Sequence, residues 1–178
     1  FGYKGNMQDL TKDFAKNIYL KKYYLGNKLD KVVNDKAALS ICDWAVNSGK
    51  NGIKNLQVAL NQINGTHLSV DGIIGNKTLG VLNATDSEKF LKVYHDLQRS
   101  YYKAKVEADE TQEKFLIGWM NRVEKKEQYL EDWDKENAAA EAPKYSFSQA
   151  SLDKMEKVHP KLVDVLKTAI VNSPFDFR

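Results

Sequence analysis

Two polar side chains four residues apart, Asp43 and Asn47, are the first candidates for chemistry in this chain. On a helix, residues i and i+4 share a face, so the pair could together bind a sugar or orient a water molecule. The same two residues could equally serve structure, with Asp43 holding a neighbouring helix end or loop and Asn47 capping its own helix. Tyr23, Tyr24 and Trp44 offer rings on which a sugar could stack, although core packing is the default for aromatics at helical spacing. Asp71 and Thr78, with Gly72 and Gly75 between them, read as the fixed points of a loop-to-helix turn, and any ligand contact there would follow from that shape. No metal site and no cofactor are expected: His67, His95 and His159 are far apart, without the spacing a ligand set requires. His159, before Pro160, reads as a helix-start residue. Glu107, Glu110, Glu113 and the cluster Glu124 to Glu127 alternate with lysines and read as solvated helix faces, not as an acid/base pair.

The elements that must position these residues are helical throughout. Thr11 can cap a first helix in which Phe14, Ile18 and Ala15, Tyr19, Tyr23 recur at i and i+4, placing an aromatic side toward a core, with Gly26 as the stop. Asp35 opens a second helix with Ala38, Ile41, Cys42 and Ala45 on one stripe, left through Asn47-Ser48-Gly49. A third runs from about Ile53 to Ile63 and ends at Asn64-Gly65. Asn76 caps a short helix through Leu82. Thr85-Asp86-Ser87-Glu88 resembles a capping box ahead of a long helix that carries Phe90, Leu91, Tyr94, Leu97, Tyr101 and Tyr102. A further helix spans Glu113 to Trp133, whose aromatics are expected between helices. Residues 134–144 are small and charged and end near proline, like a linker or a helix end, and 145–178 hold two short helical patterns too small for an independent core.

At 178 residues the chain can bury one good core. No apolar run approaches the roughly 20 residues that span a bilayer, so membrane insertion is not expected. The net charge of +3 is mild and its lysines are scattered among acids, which argues against nucleic acid as a partner. Such a surface does suit an anionic polymer such as a bacterial wall. The single cysteine, Cys42, excludes an internal disulfide and sits among apolar positions, where a structural thiol is the default.

Three blocks in order resemble the glycoside hydrolase family 108 lysozymes, N-acetylmuramidases common in phages and bacteria. The first is Leu10-Thr11-Lys12-Asp13-Phe14-Ala15-Lys16-Asn17-Ile18-Tyr19 followed by Lys22-Tyr23-Tyr24, where the second tyrosine replaces the family's tryptophan. Cys42-Asp43-Trp44-Ala45-Val46-Asn47-Ser48-Gly49 is the second and is close to the family's Asp-x-Ala-Val-Asn-Ser-Gly. Third comes Val70-Asp71-Gly72-Ile73-Ile74-Gly75-Asn76-Lys77-Thr78-Leu79, similar to the signature of its peptidoglycan-binding part. Gly118-Trp119-Met120-Asn121-Arg122-Val123 closes the domain as the family does. The resemblance implies an all-α, lysozyme-like helical domain over residues 1–133, with a peptidoglycan-binding-like part at 53–102 and a short helical C-terminal extension. It also implies bacterial peptidoglycan as partner, action at the cell wall or periplasm, and a phage-encoded protein whose partners include other virion or lysin segments.

The family's catalytic acid lies in an N-terminal Glu-Gly-Gly motif, whereas the first glutamate here is Glu88. Cleaving a glycosidic bond needs a protonated carboxylic acid to deliver a proton to the leaving oxygen, so no residue of this chain is assigned as catalytic. These residues are expected to be a silent fragment whose acid resides on a preceding segment. The tail, Tyr145-Ser146-Phe147-Ser148-Gln149-Ala150-Ser151-Leu152 and Val158-His159-Pro160-Lys161-Leu162-Val163, looks like the opening of a zinc-dependent endopeptidase of phage endolysins. The expected function is a peptidoglycan hydrolase. Its alternatives are a non-catalytic wall-binding or structural virion component, and a plain helical interaction module.

Overall fold

This computed structural model describes Asn6 and residues 9–141, with side chains described as far as 135. The tail reading at 145–178 lies outside them. The chain divides into two units, residues 1–127 and 128–178. Six α-helices make up the described part: α1 Lys12–Ile18, α2 Asp35–Ser48, α3 Lys50–Asn64, α4 Asn76–Ala84, α5 Ser87–Ala108 and α6 Glu113–Glu141. The fold is all-α.

Thr11 caps α1 by accepting from the Phe14 N–H. A π turn, Tyr19–Tyr24, follows, then short 3-10 turns. The wider turn breaks the i, i+4 register, and the aromatic side expected to face a core does not: α1 buries no residue, Phe14 and Tyr19 are exposed, and Ala15, Ile18, Tyr23 and Tyr24 are half-buried. The stop also differs from the expectation. Lys28, not Gly26, takes the left-handed conformation at φ 56°.

Asn34 caps α2 through the Ala37 N–H, and Gly49 at φ 59° turns directly into α3. Helix α3 therefore starts at Lys50, before the expected Ile53, and takes Gly52 into its first turn. That glycine is there for space: a Cβ on it would sit 2.9 Å from the backbone of Trp44 and Ala45. The close approach lets Tyr94 of α5 donate to the Gly52 carbonyl at 3.0 Å, a buried bond tying α3 to α5. Around it lies the core: Ile41 and Trp44 of α2, Ile53, Leu56 and Leu60 of α3, Phe90, Tyr94 and Tyr102 of α5, and Val123 of α6, each at most 1% exposed.

Two caps differ from the sequence reading. Gly75, not Asn76, precedes α4 as its cap residue. The cap of α5 is Asp86, which accepts from Lys89 N at 2.8 Å, while Glu88 leaves the box to meet Lys36 at 2.7 Å. Helix α6 runs past Trp133 to Glu141, through the first part of the linker-like stretch. In the second unit, Tyr129 and Trp133 meet edge to face at 6.0 Å, and Gln128 donates to Asp132.

Candidate functional site

Helices α2, α5 and α6 converge on a polar network that holds both Asp43 and Asn47. Asp43, near the middle of α2, accepts from Arg122 Nη2 at 2.6 Å through Oδ1, and its Oδ2 faces Lys126 Nζ at 3.5 Å. The lysine side chain is only 5% exposed. Burial lowers its pKa to about 8 from 10.5, against the pull of Asp43. Lys126 Nζ donates to Gln98 Oε1 at 2.6 Å, Gln98 Nε2 donates to the Tyr102 hydroxyl at 3.0 Å, and that hydroxyl donates to Asn47 Oδ1 at 2.6 Å. Gln98 and Tyr102 are buried, whereas Asn47 is exposed at the end of α2. Burial raises the Tyr102 pKa, so the hydroxyl keeps the proton that it donates.

The other residues singled out from sequence lie apart from this network in role. Trp44 is fully buried, with ring centroids 4.9 Å from Tyr94 and 5.8 Å from Tyr101, and presents no face to a ligand in this conformation. Tyr23 and Tyr24 sit in the π turn, in a segment that packs on α2, where the Tyr23 carbonyl accepts from Asn27. Cys42 is half-buried, its thiol pushed up by burial and then by Asp43, which favours the thiol form.

Asp71 organises its loop. Its Oδ1 accepts from Gln57 Nε2 at 2.8 Å and from Ile73 N at 2.9 Å, and these bonds, the Gln57 one first, hold its pKa below the usual carboxylate range. Gln57 is buried and also bonds the Ile73 carbonyl and Gly72 N–H. Gly72 needs its residue type, since φ is 75° and a Cβ would lie 3.2 Å from Lys50 Cβ. Thr78 is buried in α4. Asp71, Val70 and Ile73 remain exposed on the loop surface.

A second buried set joins the same helices: His95 on α5 lies 3.1 Å from Ser40 Oγ through Nε2 and 3.2 Å from Glu127 Oε1 through Nδ1. Glu127 is also paired with Arg99. Burial first, then the charges of Lys126 and Arg99, depress the His95 pKa to about 3, so the ring is neutral, donating to the carboxylate and accepting from the serine hydroxyl. A Ser-His-Glu order suggests a nucleophile, but Ser40 is 0% exposed and no substrate could reach it. These residues bridge helices.

Sequence reasoning missed Gln98, Tyr102, Arg122 and Lys126 as site residues, and it placed Lys126 and Glu127 on a solvated face. That reading is corrected: Lys126 is buried and Glu127 is engaged by Arg99 and His95. A separate cleft of about 210 Å³, lined by Val33, Asn34, Leu82, Asn83 and Ser87 among others, contains none of the residues singled out. It falls short of the roughly 300 Å³ at which small-molecule sites begin. Among the described residues no helix is long and apolar enough to cross a membrane, and no cluster of His, Cys, Asp and Glu could hold a metal ion.

Residues 2–49 match the family described as Glycosyl hydrolase 108, and residues 51–124 match the one described as Predicted Peptidoglycan domain. The junction falls at Lys50, beside the Gly49 turn between α2 and α3. A solved structure, "Structure of Brucella abortus SagA", superposes with a TM-score of 0.60 at 23% identity, covering 71% of this chain and 67% of that one. At that identity the likeness speaks for the fold. No curated protein matches.

Proposed function

Taking the chain as a peptidoglycan hydrolase of the glycoside hydrolase 108 kind, we propose that it cleaves the glycan strand between N-acetylmuramic acid and N-acetylglucosamine and holds that strand at the end of α2 that bears Asn47, one turn beyond Asp43. One observation carries the placement. The two residues picked from sequence are joined, through α5 and α6, into a single network of three hydrogen bonds and the Asp43–Lys126 ion pair, with Asn47 exposed at one end and Arg122 at the other. A rigidly supported polar group at a helix end is what positioning a sugar requires. Asp43, taken up by Arg122 and Lys126, anchors the network. The Asp71 loop, held by Gln57, is a second wall-facing surface, contacting glycan or stem peptide through Val70, Asp71 and Ile73. A phage origin, and assembly with other lysin or virion segments, belong to the same proposal.

The bond specificity is tested with purified sacculi, incubated with the chain and with the chain joined at its N-terminus to a Glu-Gly-Gly-bearing segment. Released fragments are reduced with borohydride and identified. New reducing ends on N-acetylmuramic acid are expected. Reducing ends on N-acetylglucosamine, cleavage of peptide bonds alone, or no release from either protein would contradict the reading.

A further inference from the structure

A chain of hydrogen bonds between amides and hydroxyls can usually run in either direction, because each member both donates and accepts. Here one end removes that freedom. The Lys126 ammonium can only donate, so Gln98 must turn its carbonyl oxygen toward it, 2.6 Å away. The Gln98 amide N–H then faces Tyr102 and occupies the hydroxyl oxygen as acceptor, leaving the hydroxyl proton to point at Asn47. Asn47 must accordingly offer its carbonyl oxygen inward. Ser48 Oγ donates to the same oxygen at 3.2 Å, reinforcing the orientation. Its NH2 group is left outward on an exposed side chain, with no acceptor among the described residues. Asp43 stands behind the lysine and opposes the loss of its proton by burial.

We infer that Lys126, Gln98 and Tyr102 are positioning residues that fix the amide of Asn47 as an outward hydrogen-bond donor for an oxygen acceptor of the bound glycan, an acetamido carbonyl or a sugar hydroxyl. The inference rests on the glycan reading of the site and deepens it. An amide free to rotate would present donor or acceptor in turn; one whose direction is set by a buried cation is preorganised and loses less on binding.

The test uses the tetrasaccharide of alternating N-acetylglucosamine and N-acetylmuramic acid, titrated calorimetrically into the chain. Asn47→Ala is expected to weaken binding about five- to tenfold, the worth of one such hydrogen bond. Tyr102→Phe keeps the ring stacked on Trp119, 5.1 Å away, and is expected to weaken binding several-fold when Asn47 is present and not at all when it is already alanine. A merely structural role for Tyr102 would weaken binding equally in both backgrounds. Equal losses, or no loss in either, overturn the inference while the glycan reading stands. Absence of binding by the unmutated chain overturns both. Should Tyr102→Phe fail to fold, the side-chain amide resonances of Asn47 in the unmutated chain decide: they shift on adding tetrasaccharide, and unmoved resonances in a saturated sample refute the inference.

Discussion

Replacing Lys126 by methionine keeps the apolar stem and removes the buried ammonium, and its signature is a change in how stability depends on pH. In the folded chain the ammonium loses its proton near pH 8, whereas the unfolded chain holds it to about 10.5. Between those values the unfolded state binds more protons, so this residue makes stability rise with pH. Titrating a single site from about pH 7 to about pH 9.5 with these two values increases the stability of the parent relative to Lys126→Met by about 2 kcal/mol. No discount for solvent is needed, because the side chain is 5% exposed. The raised thiol of Cys42 acts in the opposite sense over the same range, but it is present in both proteins and cancels in the difference. Tyr94 and Tyr102 titrate above the window, their pKa values raised by burial. Urea unfolding of both proteins across the range measures the difference directly. A parent-minus-variant stability difference that stays constant, or falls as pH rises, would refute a buried, charge-strained lysine at the centre of the network.

Other perturbations separate the parts. His95 has a depressed folded pKa of about 3 against 6.5, so its contribution is present above pH 6.5 and is lost as pH falls toward 3; relative to His95→Gln, the parent should lose about 1.4 kcal/mol per pH unit in that window, by chemical denaturation. Arg122→Gln, which breaks a pair whose arginine is 42% exposed, should change stability by less than about 1 kcal/mol in the same urea unfolding measurement. Gly72→Ala should lower stability by about 1–2 kcal/mol from its left-handed backbone alone, read as a drop in Tm, with the Lys50 contact adding to it. Gln57→Leu leaves the Gly72 N–H without its partner and should loosen the same loop, seen as faster amide exchange at Gly72 and Ile73.

The helices and several of their ends were legible because local signals set them: Thr11 capping α1, the apolar stripe of α2, Gly65 ending α3. Local reading failed where a tertiary contact decided the outcome. Gly52 looks like part of a turn, yet it lies inside α3 because α2 passes too close for any side chain. Lys126 looks solvated beside Glu124 and Lys125, yet it falls three residues after Val123 and four before Leu130, both buried, and so shares their stripe. Gln98 gave a similar signal, a polar residue midway between Tyr94 and Tyr102 at i+4 steps. What spacing could not supply was the pairing itself, since Arg122 lies 79 residues from Asp43 and Tyr102 lies 55 from Asn47. Helical spacing singled out Asp43 and Asn47 as neighbours; the fold adds the five-membered network, with Lys126, Gln98 and Tyr102, that connects them.

The most direct measurement is a crystal structure of the chain saturated with the same tetrasaccharide. The account predicts a sugar oxygen within about 3 Å of Asn47 Nδ2, with Asn47 Oδ1 still receiving the Tyr102 hydroxyl. A glycan bound elsewhere with the Asn47 amide bare, or an Asn47 turned so that its oxygen meets the sugar, would contradict it.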